Sequence, residues 1–72
     1  MTFEEFFKRC WFWFYHNEEE NVYAIEIGAN IDTYDYYIDC YEVTKELFSD
    51  ESSRKESIAK QFYDHLKEEK VI

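Results

Sequence analysis

The side chains able to do chemistry are few, and they do not assemble into a reactive set. His16 and His65 lie at or near the ends of expected helices, where an imidazole more often meets the last carbonyls than carries out catalysis. Cys10 falls on an aromatic helix face and Cys40 on the apolar side of an expected strand, so both thiols read as small buried hydrophobes. No Cys or His pair has zinc-finger spacing, and a single glycine leaves no loop to cradle phosphate. Asp32, Asp35 and Asp39 lack the alternate positions and central glycine of a calcium loop. Carboxylate pairs also serve glycosidases, but so small a domain offers no cleft between them. The expectation is a protein that is not an enzyme and needs neither cofactor nor metal.

What remains is charge, and it is unevenly placed. Seventeen acids against eight bases give a net charge of −9 over 72 residues. Met1 to His16 sums to zero, with two acids and two bases, and Ser52 to Ile72 to +1, with four acids and five bases. Asn17 to Glu51 holds eleven acids against Lys45, a sum of −10. Such a chain is repelled by nucleic acid and by anionic membranes and attracts basic proteins. Carboxylates can stand in for phosphates if spaced alike. Phosphates along one strand are about 6–7 Å apart, alternate residues of a β-strand about 6.6–6.8 Å, and helical neighbours at i+3 and i+4 about 5–6 Å. Glu18, Glu19, Glu20, Glu26, Asp32, Asp35, Asp39, Glu42 and Glu46 are the candidate partner-binding acids. Tyr34, Tyr36, Tyr37 and Tyr41 interleave with them, and Tyr34, Tyr37 and Tyr41 are the expected anchors for Arg- and Lys-rich surfaces. The plainer reading is that the charge keeps an aromatic-rich small protein in solution.

The elements that must position these residues form one domain spanning 1–72, with 46% hydrophobic and 22% aromatic content, too apolar for a disordered acidic tail. Met1 to His16 reads as a helix: Thr2 with Glu5 forms a capping box, and Phe3, Phe6, Phe7, Cys10, Trp13 and Phe14 share a face. Trp11 lies at the border of that face. Phe12 lands on the polar side, which makes it the residue most available to a partner or a second copy. A last helix is expected with Ser53 and Glu56 as capping box and Ile58, Ala59, Phe62 and Leu66 as its buried stripe, Tyr63 at the edge. Between them, Val22 to Ile27 reads as a strand, Gly28-Ala29-Asn30 as a turn, and Tyr34 to Val43 as the returning strand with its even positions inward. A third short strand or helical turn falls near Thr44 to Phe48. The preferred fold class is therefore α+β, an α-β-β-α domain with an antiparallel hairpin on two helices. The alternative is all-α with three helices, in which Ile31 to Phe48 is helical and its acids crowd an arc of about 80°.

In size, acidity, aromatic content and lack of catalytic motif, the chain resembles the small host-takeover proteins of bacteriophages. Among them it looks most like DNA-mimic inhibitors of restriction enzymes, CRISPR nucleases, uracil glycosylases and nucleoid proteins. These share no motif, so the resemblance assigns no residue. It implies a non-enzymatic inhibitor that blocks the DNA-binding surface of a basic host protein. An HU-type nucleoid protein is the first target, and a restriction or CRISPR nuclease or RNA polymerase are the others. An antitoxin or immunity-type protein covering a toxin, and a homodimeric structural module built on the helix-one aromatics, are the alternatives. With no apolar run longer than the six residues Cys10 to Tyr15 and no signal-like N-terminus, no membrane association is expected and the cytosol is the expected compartment.

Overall fold

The computed structural model describes residues 1–32 and 34–72. The order is α1 (Phe3–Lys8), β1 (Cys10–Asn17), β2 (Val22–Asn30), β3 (Tyr36–Val43), α2 (Lys45–Ser49) and α3 (Glu51–Glu68). The strands form one antiparallel sheet in the order β1-β2-β3, and the fold is α+β. Among the described residues no helix is long and apolar enough to cross a membrane.

The N-terminal helix is less than half the expected length. Thr2 does cap it: its hydroxyl accepts the Glu5 N–H at 3.2 Å and donates to the Glu5 carboxylate at 3.2 Å. The helix stops at Lys8, and Cys10 to Asn17 continues as a strand. Six successive apolar residues cannot share one helix stripe, which is why Phe12 falls on the polar side of a helical wheel. A strand resolves this by sending alternate side chains to opposite faces. Phe12 and Phe14 turn toward the helices, opposite Ile27 and Ile25 of β2, and Phe12 packs edge-on to Phe7 at 6.2 Å. Phe12 is thus half-buried, and Trp11, Trp13, Tyr15 and His16 are the exposed residues of β1.

The middle is a sheet, which sets aside the three-helix alternative. Two details differ from the sequence expectation. Gly28-Ala29-Asn30 does not turn but completes β2, and β3 returns antiparallel with Tyr36 opposite Asn30. There Ile31 N–H donates to the Asp35 carbonyl at 2.9 Å. On β3 it is the odd positions, Tyr37, Asp39, Tyr41 and Val43, that lie on the helix side, while Tyr36, Ile38, Cys40 and Glu42 are exposed. Register decides this: Ile25 and Ile27 face Tyr41 and Asp39, so the odd residues share the buried face of β2. Cys40 is consequently an exposed thiol rather than a core one.

The core lies between that face and the helices. Ile25, Ile27 and Ala29 meet Phe6 of α1 and Ile58, Ala59, Phe62, Tyr63 and Leu66 of α3, the stripe expected at helical spacing. Phe6 packs against Phe62 at 5.9 Å and Tyr63 at 5.3 Å, and the Tyr63 hydroxyl donates to the Met1 carbonyl at 2.8 Å. The helical turn near Thr44 is α2, with the Thr44 hydroxyl accepting Leu47 N–H at 3.3 Å. Its Phe48 covers Phe14 and Tyr23 at 5.5 and 5.0 Å. α3 begins two residues before Ser53, which lies inside the first turn; Asp50 stands at its N-cap, ending α2 as well.

Candidate partner-binding surface

Helices cover one face of the sheet and leave the other open. Side-chain alternation places on the open face Trp11, Trp13 and Tyr15 from β1, Ala24, Glu26 and Gly28 from β2, and Tyr36, Ile38, Cys40 and Glu42 from β3. Five of these are large and apolar yet wet: Trp13 is 62% exposed, Tyr36 61%, Ile38 50%, Tyr15 47% and Trp11 38%. Exposed aromatics usually sit singly. Here they cover both edge strands of one sheet.

The face has a built relief. Gly28 is buried beneath the Trp11 indole, and a Cβ there would stand 2.1 Å from the ring. The missing side chain lets Trp11 reach across β2 to Tyr36, their ring centroids 6.3 Å apart. This is why the chain's single glycine falls inside a strand. On the other side of the same face, Trp13, Tyr15, Glu26 and Cys40 line a recess of about 200 Å³. Glu26 sits on the central strand with Trp13 and Cys40 as its direct cross-strand neighbours. The described ion pairs, Lys55–Glu51, Lys60–Asp64 and His65–Glu69, all lie along the C-terminal helix and its end, and none involves Glu26.

The sequence-expected acids are dispersed by the topology. Glu18, Glu19 and Glu20 form the β1–β2 turn, where the Asn17 side chain accepts Glu20 N–H at 3.2 Å. Glu46, in α2 just beyond Val43, belongs to the same end of the sheet. Asp32 and Asp35 occupy the opposite end with Tyr34, which is 91% exposed. Asp32 accepts Tyr34 and Asp35 N–H at 2.8 and 2.9 Å, and those bonds hold its carboxyl below the usual range. Asp35, hydrogen-bonded to Asp32 and repelled by its charge, is raised. Glu26 and Glu42 share the open face as diagonal neighbours, a separation of about 7–8 Å between backbones. Asp39 faces the helix side with Tyr37 and Tyr41, which pack half-buried against the core. Burial, then the Asp39 charge, pushes the Tyr41 hydroxyl up to about 12. Of the three expected anchor tyrosines, Tyr34 is therefore the one standing in solvent.

Sequence reasoning missed Trp11, Trp13, Tyr15 and Ile38 as surface residues. The available signal was the misfit of Trp11 and Phe12 on a helical wheel. The two histidines divide. His65 sits in the last turn of α3, 3.4 Å from Glu69, whereas His16 lies in β1 rather than at a helix end, its ring stacked on Tyr23 at 4.1 Å. Cys10 opens β1 with its thiol donating to the Phe6 carbonyl at 3.3 Å, and burial pushes it up to about 11. Among the described residues no group of His, Cys, Asp and Glu is placed to hold a metal. A second recess of about 350 Å³ lies between β3, α2 and α3, bordered by Glu42, Leu47, Arg54 and Ile58. It mixes apolar groups with both signs of charge. Comparison with protein-family models, with curated proteins and with solved structures gives no match.

Proposed function

We propose that this protein is a non-enzymatic inhibitor that docks on the basic, DNA-binding surface of another protein and occludes it. The observation that carries the reading is the open sheet face: an ordered aromatic surface on a chain of net charge −9. Its five large apolar side chains expose roughly 500 Å² together. That is near the upper end of what a monomer leaves uncovered, and over half the ~800 Å² that each partner contributes to a standard interface. Tyr and Trp are the residues that anchor such contacts, because they bury much area at little entropic cost. The carboxylates divide into two roles. Glu26 and Glu42 lie within the contact face at a spacing close to that of successive phosphates. Glu18 to Glu20 and Glu46 at one end, with Asp32 and Asp35 at the other, steer a cationic partner and exclude nucleic acid. A sheet braced by α1 and α3 holds these groups without an ordering cost on binding.

The test is a low-salt pull-down from a bacterial lysate, with the captured protein identified and then challenged by duplex DNA. Capture of a DNA-binding protein that duplex DNA displaces, with affinity falling steeply as salt rises, is the expected result. A partner that holds DNA and this protein together overturns the occlusion reading and favours an immunity-type role. A self-association lost on changing Trp11 or Trp13 overturns it in favour of a dimer.

A further inference from the structure

The recess on the open face is more specific than the face around it. Trp13, Tyr15 and Cys40 give it a mostly apolar lining, and Glu26 of the central strand borders it, directly across from Trp13 and diagonal to Tyr15. An acid among exposed aromatics is costly to cover with an apolar partner, since a buried unpaired carboxylate is penalised heavily. The same group becomes favourable if the occupant brings a cation. The geometry points to a binding site for one arginine side chain of the partner, its guanidinium against the Trp13 and Tyr15 rings and its N–H groups donating to the Glu26 carboxylate.

Three properties of the site favour arginine over other occupants. A planar, weakly hydrated guanidinium stacks on aromatic rings and donates two parallel N–H bonds to a carboxylate; a lysine ammonium is a strongly hydrated point charge. The volume, about 200 Å³, fits one extended side chain rather than a folded segment. A second copy of this chain is a poor occupant, because the described residues of the open face include no Lys or Arg and a symmetric pairing would bring Glu26 toward Glu26. Anionic ligands, nucleotides included, meet Glu26, Glu42 and a net charge of −9.

This site rests on the reading of the open face as the contact surface, and the experiment separates the two. The probe is the capped tripeptide Gly-Arg-Gly, titrated into ¹⁵N-labelled protein, with capped Gly-Lys-Gly as comparison. The expected result is a saturable shift centred on the Trp13 indole N–H and the Glu26 amide, with the lysine peptide several-fold weaker. Glu26→Gln, nearly isosteric, should weaken the arginine peptide about tenfold by removing the charge-assisted bonds. Trp13→Phe should weaken it less than Trp13→Ala, the order expected of a stacking wall. Amide dispersion in each variant reports that the fold is kept. Equal affinity for both peptides, shifts confined to Glu18–Glu20 or Asp32–Asp35, or unchanged binding by Glu26→Gln overturns the arginine site. The same variants then enter the pull-down. A DNA-displaceable partner retained equally by wild type and Glu26→Gln leaves the occlusion function standing and removes this site. Peptide binding without any DNA-displaceable partner does the reverse.

Discussion

Gly28→Ala is a small change with a large expected consequence, because the Trp11 indole occupies the place of the missing side chain. The new Cβ would lie 2.1, 2.3 and 2.6 Å from three indole atoms, so the ring must move. It has somewhere to go, since it borders solvent and is 38% exposed. If half its buried area, about 75 Å² of a side chain near 250 Å², is returned to water, the loss is about 2 kcal/mol. Replacing glycine by alanine within a strand restores about 0.5–1 kcal/mol of backbone entropy. The net destabilisation is then about 1 kcal/mol, or roughly 4–8 °C in Tm for a domain of this size. The assay is urea unfolding followed by circular dichroism, together with Trp11 emission in a Trp13→Phe background. A red-shifted native emission and a lower midpoint at unchanged slope are expected. An unmoved emission with a raised midpoint, the ordinary effect of removing a strand glycine, would refute the packing of Trp11 on β2.

Phe62 is 2% exposed and packs on Phe6, so Phe62→Ala should cost about 3–5 kcal/mol of a total near 4–11 kcal/mol. Calorimetry should show the cooperative transition weakened or lost, and a Tm within a few degrees of wild type would contradict the core assignment. Cys10 is raised from 9.0 to about 11 and Tyr41 from 10.0 to about 12, each chiefly by burial. Because the folded pKa exceeds the unfolded one in both, their stabilising contribution is complete below about pH 9 and is lost as pH rises from there through 12. Tm should fall across that window, and a Cys10→Ala, Tyr41→Phe double variant should flatten the decline. Finally, brief iodoacetamide treatment at pH 8 should give a single adduct at Cys40, which is exposed, before Cys10, whose half-buried thiol is held protonated. First labelling at Cys10 would contradict the placement of both.

α3 was legible because Ile58, Ala59, Phe62 and Leu66 recur at helical spacing among charged residues, leaving one arrangement that buries them. β2 was legible from Val22 to Ile27 by residue type. β1 was not, because Trp11 to Tyr15 carry no polar–apolar alternation: both faces of that strand are aromatic, and a helical wheel accounts for most of them. The same ambiguity reversed β3. Tyr36, Ile38 and Cys40 look like an inward set, yet their register against Asn30, Gly28 and Glu26 turns them outward. Pattern reasoning assumes that apolar residues seek the core, and this sheet departs from that assumption on its open face. The acidic middle of the chain was evident from sequence. Its division between two ends and two faces was not, since that follows from the register of the three strands rather than from spacing along the chain.

The clasp between α1 and α3 bears on how the chain folds as it is made. Phe6 finds its ring partners at Phe62 and Tyr63, and the Tyr63 hydroxyl reaches back to the Met1 carbonyl, 62 positions away. While the ribosome has yet to produce α3, the helix-facing side of the nascent β-meander has only α1 and α2 to cover it, and the aromatic side is open. Long-range closure of this kind slows folding and prolongs the exposure of sticky surface. The dense negative charge of residues 17–51, emerging before α3, repels neighbouring nascent copies during that interval. The acidic segment thus sets like-charge repulsion between copies against the stickiness of their uncovered aromatic surface.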